Sequence, residues 1–270
     1  MIARKKRIVL YHPQFADETR GETSAKDVLP LSLLTIAAWP LADGYEVVLI
    51  DGCLYPQEEA HRRVLESCEG ALLYATTGIL GYQVADGHLC SQKVKARHPD
   101  LPAFLGGWFA SVVPELQLET GLYDAVALGQ GEITFREIVQ AVDAGEPLDA
   151  IAGLALRRDG RVVYTAHREV VGWDRLLNCP WHLVDFDVYR DLQIRDRRRR
   201  PVERLPRPPS VPEPEPFVGI AYFGSFGCPE PCAFCCSPGV TGMRWKAMPA
   251  ARIRPRIASK SAGATRKQKW

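Results

Sequence analysis

The sequence predicts an α/β protein: a doubly wound, parallel five-stranded sheet, then a small β appendage, a linker and a separate cysteine-bearing segment. Three observations carry that expectation. From residue 7 to about 144, short apolar runs alternate with amphipathic stretches. After Gly145 this rhythm gives way to one hairpin pattern, and from residue 195 to an Arg- and Pro-rich stretch. Four of the eight cysteines then fall between Cys228 and Cys236.

Taken in order, Arg7 to Tyr11 reads as a first strand, Leu31 to Leu41 as a first helix, Glu46 to Ile50 as a second strand and Gln57 to Ser67 as a second helix. Ala71 to Ala75 is the third strand, Gly81 to Arg97 the third helix, and Ala103 to Leu105 the fourth strand. Val112 to Thr120 is the fourth helix, Ala125 to Leu128 the fifth strand, and Thr134 to Ala144 the fifth helix. Strands joined by helices require right-handed crossovers and a sheet buried on both faces, which is the flavodoxin-like or Rossmann-like arrangement. Pro40, inside the first helix, is expected to kink it or start a second short helix. Leu154 to Arg157 and Val162 to Tyr164 form a hairpin with Asp159-Gly160 at its turn. Seven prolines between Pro201 and Pro216, after Arg197 to Arg200, cannot build a core and read as an extended linker. Gly219 to Phe223 is a last strand running into the cysteines. The expected units are therefore 1–147, 148–194 (β connector), 195–216 (linker), 217–250 (cysteine segment) and a disordered basic tail, 251–270.

With 270 residues, 46% hydrophobic and 24% charged, the chain can bury one or two ordinary cores, which excludes wholesale disorder and collagen-like repetition. A net charge of +2 is a weak footing for nucleic acid, and no such partner is expected. The basic start from Met1 is followed by an apolar run too short for a signal peptide, and no stretch reaches the length of a membrane span. Clustered thiols favour a metal over disulfides, and a reducing cytoplasm is the matching compartment.

Cys228, Cys232 and Cys235 have the spacing C-x3-C-x2-C. Three thiolates on one tight loop can hold three irons of a four-iron cluster and leave the fourth iron open. Two other readings stand beside it: a zinc site that recruits Cys236, although zinc sites favour paired C-x2-C motifs, and thiols with no ligand.

That spacing, with Phe234 before the third cysteine, Gly227 before the first, and Ser237-Pro238 after, resembles the signature of the radical S-adenosylmethionine superfamily. The resemblance implies a [4Fe-4S] cluster on the three cysteines, S-adenosylmethionine on the open iron, and a reductant such as flavodoxin or ferredoxin. Leu105-Gly106-Gly107-Trp108, with Pro114-Glu115 further on, resembles the glycine-pair loop of the cobalamin-binding domains in such proteins. Gly129-Gln130-Gly131-Glu132 resembles the G-x-G-E loop after their fifth strand. The resemblance thus assigns Gly106, Gly107, Gly129, Gly131 and Glu132 to cobalamin, where glycine permits close backbone approach. Each glycine loop taken alone is also an ordinary turn or cap.

The D-x-H-x-x-G motif that supplies a histidine to cobalt in methionine-synthase-like domains is absent, and His12 reads as an ordinary loop histidine. Phe109 stands where a histidine is common in the family. A complete barrel takes about 250 residues, whereas few follow the cysteines here, so the chain reads as truncated just inside a radical S-adenosylmethionine barrel of partial TIM type. The basic tail could also be read as a nucleic-acid arm. The expected function is radical chemistry, such as methylation or rearrangement of an unactivated carbon on a small-molecule substrate. The alternatives are a non-catalytic module for cobalamin or another tetrapyrrole and an inert fragment.

Overall fold

The structure is a computed structural model and describes residues 6–17, 28–79, 81–199 and 222–249. Its centre is a sheet in the order β2-β1-β3-β4-β5-β6-β7. The strands β1 (Arg7–His12), β2 (Glu46–Asp51), β3 (Leu73–Thr77), β4 (Ala103–Gly106) and β5 (Ala125–Ala127) are parallel. The order 2-1-3-4-5 is the flavodoxin-like one. Ile8, Val9, Leu10 and Tyr11 are all fully buried, as a strand covered on both faces requires. Alternate residues of that run face two different cores. Val9 and Tyr11 pack with Val64 of α2 (Gln57–Cys68) and Cys90 of α3 (Tyr82–Arg97). Ile8 and Leu10 pack with Leu33 and Ala37 of α1 (Leu31–Ala42) on the other face.

Pro40 does not break α1, because it falls in the last turn, where only one intrahelical bond is forfeited. The single helix expected over Val112 to Thr120 is instead two, α4 (Trp108–Val112) and α5 (Pro114–Glu119). Pro114 disfavours the helical conformation at the preceding residue, and Val113 accordingly sits at φ −134°, ψ 60°. α6 (Gly131–Ala144) ends on Gly145 in the left-handed region.

The hairpin of β6 (Leu154–Arg158) and β7 (Arg161–Tyr164) turns through Asp159 and Gly160, both at positive φ, as expected. It is not a separate appendage. β6 pairs antiparallel with β5, Val126 opposite Ala155, and extends the five parallel strands to seven. The cause is burial: Leu154, Ala155 and Leu156 are fully enclosed, and a free-standing hairpin would have left them wet.

α7 (Phe186–Arg199) runs into the stretch expected to begin the linker, since arginine is a good helix former and the prolines start only at Pro201. Residues 200–216 and the tail 251–270 lie outside the described residues, as do 219–221 of the expected last strand. Tyr222 and Phe223 are not in a strand; the pairing begins at β8 (Ser225–Phe226), antiparallel to β9 (Lys246–Ala247), with α8 (Ser237–Thr241) between them. Among the described residues, no helix is long and apolar enough to cross a membrane.

Candidate functional site

The carboxyl ends of β3, β4 and β5 open into a cavity of about 320 Å³. Thr76, Thr77, Gly106 and Ala127 form its floor, and Thr35 and Ile36 of α1 stand on one side. The opposite wall is the cysteine segment, through Phe226, Gly227, Cys228 and Val240. Ligands of open α/β sheets bind outside the carboxyl ends of the strands, and this volume is in the small-molecule range.

The five residues assigned from the glycine loops all line this cavity, in different ways. A Cβ on Gly106 would point into open space, with only Ala127 Cβ near it, at 3.9 Å. Gly107 is a structural requirement: its φ is +103°, and a Cβ would lie 2.6 Å from Gly78 O and 2.7 Å from Thr77 Oγ1. The two glycine loops are tied together, because Ser111 Oγ donates to Gly107 O at 2.8 Å and accepts from Gly129 N at 2.9 Å. Gly129 lies close under the cysteine segment, where a Cβ would be 3.0 Å from Val240 O. Gly131 opens α6, and Glu132 follows it with its carboxyl buried. Burial pushes that carboxyl above its usual range, with its own backbone N–H and the Thr35 side chain as opposing hydrogen-bond partners. Gln130 Oε1 accepts from Val171 N at 2.7 Å, which orients its amide and leaves Nε2 buried without a protein partner.

Gly227 fixes the base of the cysteine loop, because its φ is +78° and a Cβ would overlap Arg244 O. Cys228 N donates to Gly242 O and Cys235 N to Cys232 O, which closes the turn that carries the thiols. Cys228 reaches the cavity, whereas Cys232, Cys235 and Cys236 are exposed and all four are free thiols. Hydrogen bonds from the Ser237 side chain and backbone hold the Cys235 thiol below its usual range. These sulfurs do not converge within the 4.8 Å at which three ligand atoms could share one ion. A zinc ion with Zn–S of about 2.3 Å would need its sulfurs roughly 4 Å apart, so a preformed mononuclear site is not what this loop offers.

The cysteine segment is latched to the sheet through residues 170–173. Lys246 Nζ donates to Val170 O at 2.5 Å, Trp173 Nε1 donates to Lys246 O at 2.9 Å, and Trp173 stacks on Phe226 with centroids 4.4 Å apart.

His12, read above as an ordinary loop histidine, is buried and paired with Asp51 at 3.0 Å. Burial opposes its charge, but the Asp51 carboxylate outweighs that and pushes His12 up to about 10. Tyr189 of α7 donates to the other Asp51 oxygen at 2.5 Å. Beside this pair, Asp86 accepts from Tyr11 at 2.6 Å and Gln57 at 2.7 Å and lies 2.9 Å from His61. Sequence reasoning also missed Thr76, Thr77, Gln130 and the Trp173 latch. The two threonines had a signal, their place at the end of a strand; the latch had none, since its partners lie far apart in sequence.

No family model matches the chain. An uncharacterized methyltransferase of Pyrococcus horikoshii is 27% identical over 170 residues, covering 62% of this chain and 32% of that protein. The anaerobic magnesium-protoporphyrin IX monomethyl ester cyclase of Rubrivivax gelatinosus is 25% identical over 237 residues, covering 85% of this chain and 38% of that one. The chain thus spans about a third of the length of these curated relatives. Among solved structures it resembles the radical S-adenosylmethionine methyltransferase TsrM of Kitasatospora setae, with cobalamin and a [4Fe-4S] cluster bound. The TM-score is 0.70 and identity 15%, over 97% of this chain and 48% of that one. The cobalamin-dependent S-adenosylmethionine radical enzyme OxsB, with aqua-cobalamin bound, gives a TM-score of 0.71 at 15% identity, over 95% and 32%. At such identity the likeness is one of fold. The resemblance to cobalamin-dependent radical S-adenosylmethionine proteins read from the glycine and cysteine motifs recurs in these structural neighbours.

Proposed function

We propose that the chain provides the cobalamin-binding sheet and the cluster-bearing opening of a radical S-adenosylmethionine enzyme that acts on an unactivated carbon of a small molecule. The observation that carries this is the shared cavity, whose floor is the glycine loops and whose far wall is the Cys228 end of the cysteine loop.

The residues fit both groups. The open space above Gly106 is a place where any side chain would intrude on a flat macrocycle, and three free thiols sit on one short loop. Gly106, Gly129, Gly131 and Glu132 would hold cobalamin, while Cys228, Cys232 and Cys235 would hold the cluster. When bound, the two groups would supply reductive cleavage of S-adenosylmethionine and the transfer or rearrangement of a carbon group. The chain's own part is placement and exclusion of water. The Trp173 latch fixes the distance between loop and sheet, and the apolar side chains Ile36, Phe135 and Phe226 keep the cavity dry. A low-potential one-electron donor is the partner this chemistry requires.

The test is anaerobic expression with cluster reconstitution, then iron, sulfide and cobalamin quantification on wild type and on the combined Cys228→Ala, Cys232→Ala, Cys235→Ala variant. Loss of about four irons with cobalamin retained is expected. Equal iron in both proteins, or no cobalamin in either, would refute the assignment.

A further inference from the structure

Among the described residues, one group of three possible metal ligands converges, and it lies apart from both the cysteine loop and the cavity. A ring nitrogen of His12, a carboxylate oxygen of Asp51 and Cys53 Sγ all lie within 4.8 Å of one another. Strand register and one tight turn bring them together. β1 and β2 pair in parallel with His12 opposite Asp51, and His12 Nδ1 lies 3.0 Å from Asp51 Oδ1. The chain then turns over Gly52–Leu54, where Asp51 Oδ1 accepts from Cys53 N at 3.0 Å and so returns the thiol to the pair. All three residues are buried.

We propose that His12, Asp51 and Cys53 form a structural zinc site that staples the ends of β1 and β2. Imidazole, carboxylate and thiolate together make a borderline-soft set that suits Zn²⁺ and not Mg²⁺ or Ca²⁺. Tetrahedral zinc needs its ligand atoms roughly 3.3–3.8 Å apart, so the His12–Asp51 spacing has only to open by a few tenths of an ångström. Charge balances as well. Asp51 and a Cys53 thiolate carry two negative charges, so a divalent ion with a neutral His12 leaves the buried site without net charge. The thiol proton and the proton between His12 and Asp51 leave as the ion enters. Pro13 O, which accepts from Cys53 Sγ at 3.8 Å, loses that donor with the thiol proton and becomes the fourth ligand. Outer partners are already in place: Tyr189 of α7 donates to Asp51 Oδ2 at 2.5 Å, and the Gln83 amide lies 3.4 Å from His12 Nε2. Without the ion the same groups form the ion pair described above, so the exchange of protons for metal opens no space for a larger group.

The experiment uses the full chain with Cys228, Cys232, Cys235 and Cys236 all changed to Ala, so that the loop thiols can take no metal and the result is independent of the cofactor reading. This parent is expressed in minimal medium supplemented with Zn²⁺ or with Co²⁺, purified and dialysed, and its metal is quantified. About one zinc per chain is expected in the parent, and less than a tenth of that in Cys53→Ser and His12→Gln made on the same background. Stripping the zinc with a chelator should lower Tm by about 5–10 °C, the shift given by an ion at about 100 times its Kd in a protein of this size. The cobalt form should show a thiolate-to-metal charge-transfer band, which reads Cys53 ligation in the parent even where a variant fails to fold. A parent without zinc, folded Cys53→Ser with as much zinc as the parent, a Tm untouched by the chelator, or a cobalt form lacking the thiolate band would each overturn the site.

Discussion

On the proposed reading, the glycine pair at the end of β4 separates a residue that leaves room for the ligand from one required by the fold, and substituting each by alanine tests that division. At Gly107 alanine must hold φ +103° with its Cβ 2.6 Å from Gly78 O and 2.7 Å from Thr77 Oγ1. The conformation alone costs about 1–2 kcal/mol, and forcing two backbone loops apart adds about 1–3 kcal/mol. For a protein of this size each kcal/mol moves Tm by about 2–4 °C, so a fall of about 5–15 °C is expected for Gly107→Ala. Gly106 has no strained φ, and its Cβ would meet nothing closer than 3.9 Å, so Gly106→Ala leaves Tm unchanged or raises it slightly by restricting the unfolded chain. The new methyl group nonetheless stands in the cavity, and cobalamin affinity should drop. Thermal unfolding followed by far-UV circular dichroism, paired with cobalamin titration by absorbance, reads both effects. If Gly106→Ala destabilises as much as Gly107→Ala, or if Gly107→Ala melts with wild type, the division is wrong.

Gly227→Ala, whose Cβ would overlap Arg244 O, should abolish iron incorporation while the thermal transition of the sheet holds; normal iron content would count against Gly227 as the base of the cysteine loop. Trp173→Ala removes the stack on Phe226 and the bond to Lys246 O, a loss of about 3–5 kcal/mol by analogy with other buried aromatics. Hydrogen exchange over residues 225–247 should therefore quicken, with β1 to β5 still protected. For the His12–Asp51 pair the folded pKa of His12 is raised from 6.5 to about 10, so its contribution is complete below 6.5 and is lost progressively as pH rises from there through about 10. Asp51 is shifted down, and its share is present above 3.8 and lost on acidification. The stability gap between wild type and His12→Gln, taken from urea midpoints, should shrink from about pH 6 to pH 10; a constant gap would mean the pair is not charged in the folded state.

What the sequence made legible follows from how local each determinant is. The run Ile8-Val9-Leu10-Tyr11 and the Asp159-Gly160 turn carry their own geometry, and both are found where expected. The pairing of β6 on β5 was not legible, because an antiparallel strand added to a parallel sheet is chosen by which edge is open and not by anything in Leu154 to Arg158 itself. The glycine loops were legible as loops, but Gly106 and Gly107 look identical in a sequence; what distinguishes them is the folded backbone, which holds Gly107 at φ +103° against Gly78 O and Thr77 Oγ1. His12 and Asp51 are 39 residues apart, and the pairing depends on β1 and β2 lying in register, His12 opposite Asp51.

That register also explains why the cavity lies where it does. A flavodoxin-like sheet offers its ligand crevice at the switch point, between β1 and β3. Here the end of β1 is filled with protein: His12 is locked to Asp51, and Tyr11 and the Gln14 backbone are locked to Asp86, which lies against His61. Breaking either network by removing one partner would strand a buried charge at a cost of about 3–5 kcal/mol, so this end of the sheet does not yield to an incoming group. Towards β3, β4 and β5 the strand ends carry threonine, glycine and alanine, which fill little space and present no charge. The opening is therefore displaced along the sheet toward β4 and β5, and that displacement brings it under the cysteine segment, which the Trp173 latch fixes to the far side. These buried polar networks hold no part of the cavity, yet they decide which part of the sheet can be one.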